Sequence, residues 1–206
     1  MDLILLRHGE TDWSVSGQHT GRTDILLTGR GRAEAAAVAD VVHELLEGRP
    51  APVVYSSPLM RAFQTAKIVL PGASIIRRDE LMEMDYGDYE GMTRTQIQEG
   101  RPGWDIWRDG CPHGETVEQV GNRVDKFLTA AASALPATSA ETPDGGGVVV
   151  VFAHGHLIKI LAARAIGLAP ADGRIFKLDT ATVSMIATDR GEQVVKLWNV
   201  PARIGS

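Results

Sequence analysis

The chain has 206 residues, a mass of 22.2 kDa, a formal net charge of -5 and a single cysteine. One α/β domain with a sizeable core is the simplest reading of that length. The acidic balance argues against a general nucleic-acid binder, although not against one locally positive cleft. The lone Cys111 excludes an internal disulfide framework, fits a reducing compartment and, with no motif around it, reads as an inert thiol rather than a nucleophile.

In chain order, Leu3-Ile4-Leu5-Leu6 is an apolar run that stops at Arg7-His8-Gly9, the pattern of a buried strand in a parallel sheet. It is short and no basic residue precedes it, so it does not read as a secretory signal. No stretch approaches the ~20 apolar residues of a membrane span. The expected setting is cytoplasmic, with no membrane and no nucleic-acid partner. Thr11 to Leu27 is rich in Gly, Ser, Thr and Asp and reads as a long loop of functional interest. Thr28 caps a helix to about Leu46, with Gly48 just beyond its end, and helical spacing gives it a buried face of Ala33, Ala36, Ala37, Val41 and Leu45. Val53 to Ser56 is a second strand. Ser57-Pro58 opens a helix to about Val69 with Pro in an early helical position, and Ser74-Ile75-Ile76 is a short strand.

From 77 to 114 the pattern turns irregular, with many glycines and two tryptophans read as packing residues, Trp104 and Trp107. A lid-like insertion within one domain spanning 1–206 is expected here. Glu115 to about Leu135 is an amphipathic helix burying Val117, Val120, Val124, Phe127 and Leu128. The Pro-, Ser-, Thr- and Gly-rich stretch 136–147 is expected as a mobile surface loop. Val148 to Ala153 is a β-branched core strand that again ends in His-Gly, at His154-Gly155. A helix follows from His156 to about Ile166. A hairpin of Ala181–Thr188 and Val194–Trp198 turns at 189–191, and the tail after Pro201 is expected to fray. About four buried strands alternating with helices give a three-layer α/β/α fold with a mostly parallel central sheet.

Two strands that both end in His-Gly bring His8 and His154 to one sheet edge, where open α/β sheets bind ligands. Arg7 joins them, and Arg61 arrives from the first turn of the helix after Pro58. Two arginines and two histidines around one point suit phosphoryl oxygens. A neutral imidazole is a competent nucleophile near neutral pH. His154 and His156 have a His-x-His spacing, and His8 and His19 are the candidates to complete a cluster. No second ligand pair or carboxylate run with metal spacing accompanies them, so no metal and no cofactor is expected.

The chain resembles the histidine phosphatase superfamily, also called the phosphoglycerate mutase-like family. The resemblance is carried by Arg7-His8-Gly9-Glu10-Thr11, by Trp13, Gly17, Gly21, Asp24, Leu27, Thr28 and Gly31, and by Ser57-Pro58-Leu59-Met60-Arg61-Ala62. It continues through Leu81 to Gly91, Gly114-Glu115-Thr116 and Ala153-His154-Gly155. It implies a phosphoglycerate mutase-like fold in which His8 is phosphorylated and Arg7, Arg61 and His154 bind the phosphoryl group. Glu83 is then the acid that protonates the leaving oxygen, with Asp85, Asp88 and Glu90 as neighbouring rivals. Burial or bound phosphate is expected to raise the Glu83 pKa, and the arginines to lower that of His8. Glu10 and Glu115 read as supporting residues, Glu115 equally as a helix cap.

The loop Trp13-Ser14-Val15-Ser16-Gly17-Gln18-His19-Thr20-Gly21 departs from the commonest family pattern. With Tyr86-Gly87-Asp88-Tyr89-Glu90-Gly91, it looks like the branch of sedoheptulose bisphosphatases and broad acid phosphatases. Ser14, Thr20, Gly21, Tyr86, Gly155 and His156 are the expected substrate contacts. The implied activity is a metal-independent phosphomonoesterase acting on a small, sugar-type phosphate through a phosphohistidine. A phosphoglycerate mutase is the alternative, and an inert phospholigand-binding protein a more distant one, since Arg7, His8, Arg61, Glu83 and His154 are all present. A small-molecule phosphate is the implied partner, and a homodimer stays open.

Overall fold

Strand β1 (Asp2–Arg7) forms where the sequence places its first unbroken apolar run, and Leu3 to Leu6 are all buried. The structure is a computed structural model describing residues 1–135 and 147–202. The loop expected over 136–147 and the tail after Pro201 therefore lie almost wholly outside the described residues.

The chain continues through α1 (Asp12–Ser16), α2 (Gly29–Leu46), β2 (Val53–Ser56), α3 (Met60–Val69) and β3 (Ile75–Arg77). Then come α4 (Arg94–Gly100), α5 (Ile106–Asp109), α6 (Val117–Ala134), β4 (Val148–Ala153), α7 (Gly155–Ala165), β5 (Val183–Asp189) and β6 (Glu192–Val200). The six strands form one sheet in the order β3-β2-β4-β1-β5-β6. β1 runs parallel to β4, β4 to β2 and β2 to β3, whereas β5 pairs antiparallel with both β1 and β6.

Alternation along β1 and β4 sends side chains to two helical layers. Ile4, Leu6, Val150 and Phe152 pack with Ala35, Val38, Ala66 and Val69 of α2 and α3. Leu3, Leu5, Val149 and Val151 pack with Val120, Val124, Phe127, Leu157 and Leu161 of α6 and α7. The three-layer α/β/α architecture with a mostly parallel sheet is thus present. Met84, Tyr86, Ile97 and Trp104, from the irregular stretch after β3, are buried in the same cluster as α6 and α7.

Several local expectations needed correction. The stretch after His8 is not all loop: Thr11 and Ser14 form a reciprocal capping box that starts α1. Pro58 lies before α3 rather than inside it. The buried stripe of α2 is Ala35, Val38, Val41 and Val42, while Ala33, Ala36 and Ala37 face solvent. Alanine is nearly indifferent to burial, so the valines decided the face. Glu115 is not a cap, because Thr116 caps α6. β3 is an exposed edge strand rather than a buried one. The terminal hairpin closes on Arg190 and Gly191, both at positive φ, as a two-residue turn between Asp189 and Glu192 requires.

Candidate active site

The register of β1 on β4 sets Arg7 opposite Ala153, so the next residues, His8 and His154, stand side by side. Their ring centroids are 5.3 Å apart, edge to face. The His8 backbone is held from both sides: its N–H donates to Ala153 O at 3.0 Å, and its carbonyl accepts from Ala181 N–H at 3.1 Å. Gly9 has no room for a side chain, because a Cβ there would sit 2.3 Å from Gly31 O at the start of α2. Its N–H donates to Thr65 Oγ1 at 3.2 Å, which ties the turn to α3.

The His8 ring is buried, and its Nδ1 lies 2.7 Å from Gly9 O. A carbonyl only accepts, so Nδ1 carries the hydrogen and Nε2 keeps its lone pair. Burial first, then the charges of Arg61 and Arg7, push the His8 pKa well below its ordinary value, and the Gly9 bond opposes them weakly. The ring is therefore neutral at physiological pH and presents one nucleophilic nitrogen.

Three buried donors near it have no acceptor. Arg7 gives Nη1 to Leu178 O at 2.6 Å but leaves Nε unpaired. Arg61 gives Nη1 to Thr23 O and Nη2 to Thr20 O and Gly21 O, and its Nε is also unpaired. His154 Nε2 meets the Ser57 hydroxyl at 2.8 Å. That hydroxyl also accepts from Leu59 N–H, and with its own proton on Nε2 the Nδ1–H of His154 has no partner. A fourth unpaired atom, Arg22 Nη1, sits away from this group, beside the Asp85 and Glu115 carboxylates that Arg22 pairs with. Buried unpaired donors are costly unless a partner satisfies them.

Glu83 is buried and held entirely by backbone. Oε1 accepts from Met84 N–H and Leu157 N–H at 2.9 Å, and Oε2 accepts from His156 N–H at 3.0 Å. Two of these amides belong to the first turn of α7, where the helix dipole also favours a carboxylate. The expected upward pKa shift is not found. Burial pushes the pKa up, but His156 and the three amides outweigh it and leave it below the ordinary glutamate value. The His156 share acts only while that ring is charged, and burial drives its pKa down to about 4. The three amides are the cause that persists at neutral pH, and they favour the carboxylate form.

The rival carboxylates are committed elsewhere. Glu90 accepts from the Gly21 and Thr23 amides. Asp85 caps Gly87 N–H, and Asp88 pairs with His113 at the surface. Glu10 accepts from the Thr28 hydroxyl at 2.8 Å, at the start of α2. Glu115 accepts from Arg123 at 2.8 and 3.0 Å. Arg123, which the sequence reading missed, also donates to Glu80 O, Met82 O and Glu83 O and so fixes the segment that carries the acid. No sequence signal distinguishes it from the other arginines of an amphipathic helix.

A cavity of about 200 Å³ opens over these groups. Of the expected site residues, Arg7, His8, Ser14, Thr20, Glu83, Tyr86, Gly155 and His156 line it, together with Gln18, His19 and Lys159, which were not expected as substrate contacts. Arg61, His154 and Gly21 do not line it: Arg61 and His154 are fully buried, and Gly21 gives its carbonyl to Arg61 and its N–H to Glu90. Ser14 lines the cavity with a hydroxyl already used to cap α1. The Tyr86 hydroxyl meets His156 Nδ1 at 2.7 Å. Burial pushes the phenol pKa well up, so the phenol keeps its proton. Among the described residues, no cluster of His, Cys, Asp and Glu has the makings of a metal site.

Residues 3–201 match the family profile of the histidine phosphatase superfamily, branch 1. The chain belongs to that superfamily. It is 39% identical over 190 residues to an acid phosphatase of Mycobacterium tuberculosis, covering 92% of this chain and 87% of the relative. It is 35% identical over 184 residues to a sedoheptulose 1,7-bisphosphatase of Saccharomyces cerevisiae, covering 80% and 67%. A solved structure of an open reading frame product from Mycobacterium tuberculosis superimposes with a TM-score of 0.87 at 34% identity over 98% of both chains. The enzymatic class of this histidine phosphatase is that of a phosphoric monoester hydrolase. No helix among the described residues is long and apolar enough to cross a membrane.

Proposed function

We propose that this histidine phosphatase hydrolyses a small sugar-type phosphate without a metal, through a phosphohistidine on His8. The observation that carries this is the buried, neutral His8 with its Nε2 lone pair free, beside unpaired donors on Arg7, Arg61 and His154. Those donors bind the phosphoryl oxygens and take the place of the cation clamp that metal phosphatases use. His8 Nε2 attacks phosphorus and the ester P–O bond breaks in line.

Glu83 protonates the departing oxygen. It is ionised in the free enzyme, so the proton enters with the substrate: a negative phosphoryl group beside Glu83 raises its pKa. In the second half-reaction the Glu83 carboxylate takes a proton from the water that attacks the phosphohistidine, and inorganic phosphate leaves. The irregular stretch 77–114 supplies Glu83 and Tyr86 and acts as a lid segment of the single domain. The free, buried Cys111 agrees with a cytoplasmic setting.

The test is chemical trapping. Acid-labile phosphate should accumulate on wild-type protein during turnover and be absent from His8→Ala, and activity should survive EDTA. Labelling of both proteins, or loss of activity restored by zinc or magnesium, overturns the mechanism. A coupled mutase assay with a bisphosphorylated primer should give no product.

A further inference from the structure

Glu83 lies between two short helical turns, Asp79–Leu81 and Gly87–Tyr89, and no strand or helix covers 82–86. Backbone carbonyls away from water still need partners. Arg123 of α6 supplies them. Its Nη1 donates to Glu80 O and Met82 O, both at 2.7 Å, and its Nη2 to Glu83 O at 3.2 Å. The remaining N–H groups, on Nε and Nη2, make a bidentate pair with the Glu115 carboxylate at 2.8 and 3.0 Å. All five donors of the guanidinium are therefore used.

Glu115 holds the other side of the acid. Its carboxylate accepts from Asp85 N–H at 2.8 Å, and its own N–H donates to Asp85 O at 2.9 Å. Gly114 is pressed against the same residue: a Cβ there would lie 2.4 Å from Asp85 O. One ion pair thus pins the backbone before, at and after Glu83. The Arg123 and Glu115 side chains are only 14% and 18% exposed, so salt and solvent screen the pair little. The Glu83 carboxylate is held separately, by the amides of Met84, His156 and Leu157. Those bonds are strongest to the ionised group and weaken when it takes up a proton. The backbone anchor does not depend on that proton.

We propose that Arg123, locked by Glu115, is a positioning residue that keeps Glu83 aimed at the leaving oxygen while Glu83 carries its proton. The amides of α7 hold the head of the acid in its ionised form, and Arg123 holds its stem in both forms. The loss of Arg123 should therefore resemble a partial loss of Glu83. A purely structural ion pair would instead weaken turnover of every substrate alike. The inference rests on the acid role of Glu83 and adds the group that aims it.

The experiment is a double-mutant cycle read on two esters, glycerol phosphate and p-nitrophenyl phosphate, with wild type, Arg123→Lys, Glu83→Gln and the double variant. Lysine keeps the charge but not the planar fork that reaches Glu115 and the carbonyls together. Arg123→Lys should lower kcat on glycerol phosphate by about tenfold to a hundredfold, the effect of a misplacement of up to about 1 Å. On p-nitrophenyl phosphate, which needs little protonation, it should cost less than about threefold, with KM on both esters within about threefold. In the Glu83→Gln background Arg123→Lys should cost glycerol phosphate less than about threefold more, because nothing is left to aim. Additive losses in the cycle, or an Arg123→Lys loss equal on both esters, overturn the inference alone. Equal losses on both esters for Glu83→Gln overturn the acid reading, and the inference with it. If circular dichroism shows that Arg123→Lys does not fold, Glu115→Gln takes its place in the same cycle and is judged by the same outcomes.

Discussion

Behind the cavity, His8 and His154 stand at the ends of two adjacent parallel strands, each clamped by backbone bonds and surrounded by buried side chains. In front of it, Gln18, His19 and Thr20 stand on a loop held mainly by another loop. Gln18 bridges to Thr93, His19 N–H donates to Met92 O, and Gly91 N–H donates to His19 O. The back wall rests on the sheet, so its geometry is over-determined and suited to chemistry that tolerates little displacement. The front wall depends on a few loop contacts and can change its side chains without disturbing the sheet. Catalysis belongs to the first region and selectivity to the second, and substitutions in each should separate the two.

The largest effect is expected from His8→Ala. It removes the nucleophile from a site whose backbone is fixed independently of the ring, so the fold should persist while kcat falls by at least about 10³-fold. Stopped assays on protein verified by circular dichroism check it. A variant retaining a tenth of the activity would show that the back wall is not where the bond is broken.

Glu83→Gln comes next. General acid catalysis contributes about 10² to 10⁴, so an alkyl phosphate should lose that much. An aryl phosphate, whose leaving group needs little protonation, should lose less than about tenfold. The glutamine oxygen can keep the Met84 and Leu157 amides, but its NH2 then faces the His156 N–H. A modest fall in Tm should accompany the kinetic change. Equal losses on both substrates would remove Glu83 from the acid role. None of the rivals Asp85, Asp88 and Glu90 lines the cavity, so the replacement would have to be sought outside that motif.

The back wall was largely legible in the sequence. Apolar runs ending in His8-Gly9 and His154-Gly155 are local signals, and parallel pairing of two such strands leaves few places for the histidines to go. Arg61 was legible through its motif, although its burial against three carbonyls was not. The front wall was mostly hidden because its geometry is made by contacts distant in sequence, such as Gln18 Nε2 donating to Gly91 O. Lys159 lines the cavity from α7 and carries no motif. The Glu83 pKa was misjudged for the same reason. Burial could be foreseen, but not the three amides that oppose it, two of which come from a helix more than seventy residues away.

Acidification should loosen the back wall before it stops the chemistry by other means. His8 and His154 are buried neutral with pKa values well below the ordinary value, and that of His156 falls to about 4, in every case with burial as the first cause. Below about pH 6.5 an unfolded histidine takes a proton that the folded ones refuse. The unfolded state then binds more protons, so stability falls as pH falls. For His156 the loss accumulates from about 6.5 down to about 4. Glu83 has the same sign lower down, since its depressed pKa stabilises the fold above the ordinary glutamate range and not below it. Tm measured from pH 8 to pH 4 should decline across this window, and His156→Asn should flatten the decline. A Tm that rises on acidification would show that these rings are charged in the folded protein.

The smallest effect should come from Gln18→Ala, at the front wall. The side chain donates to Gly91 O at 2.7 Å and accepts from the Ser16 hydroxyl at 2.6 Å. Both bonds lie near the surface, where each is worth about 1 kcal/mol or less. The backbone pairing of His19 with Met92 and Gly91 remains when they are lost. The loop should therefore keep its path but hold its position less tightly. An alanine there touches none of Arg7, Arg61, His154 and Glu83 through any bond that Gln18 makes, so kcat should stay within about twofold. KM should rise by about threefold, the equivalent of less than 1 kcal/mol, and more for a bulky substrate than for a compact one. A fall in kcat as large as that of Glu83→Gln would mean that the loop sets the geometry of the back wall, and the separation between the two walls would not hold.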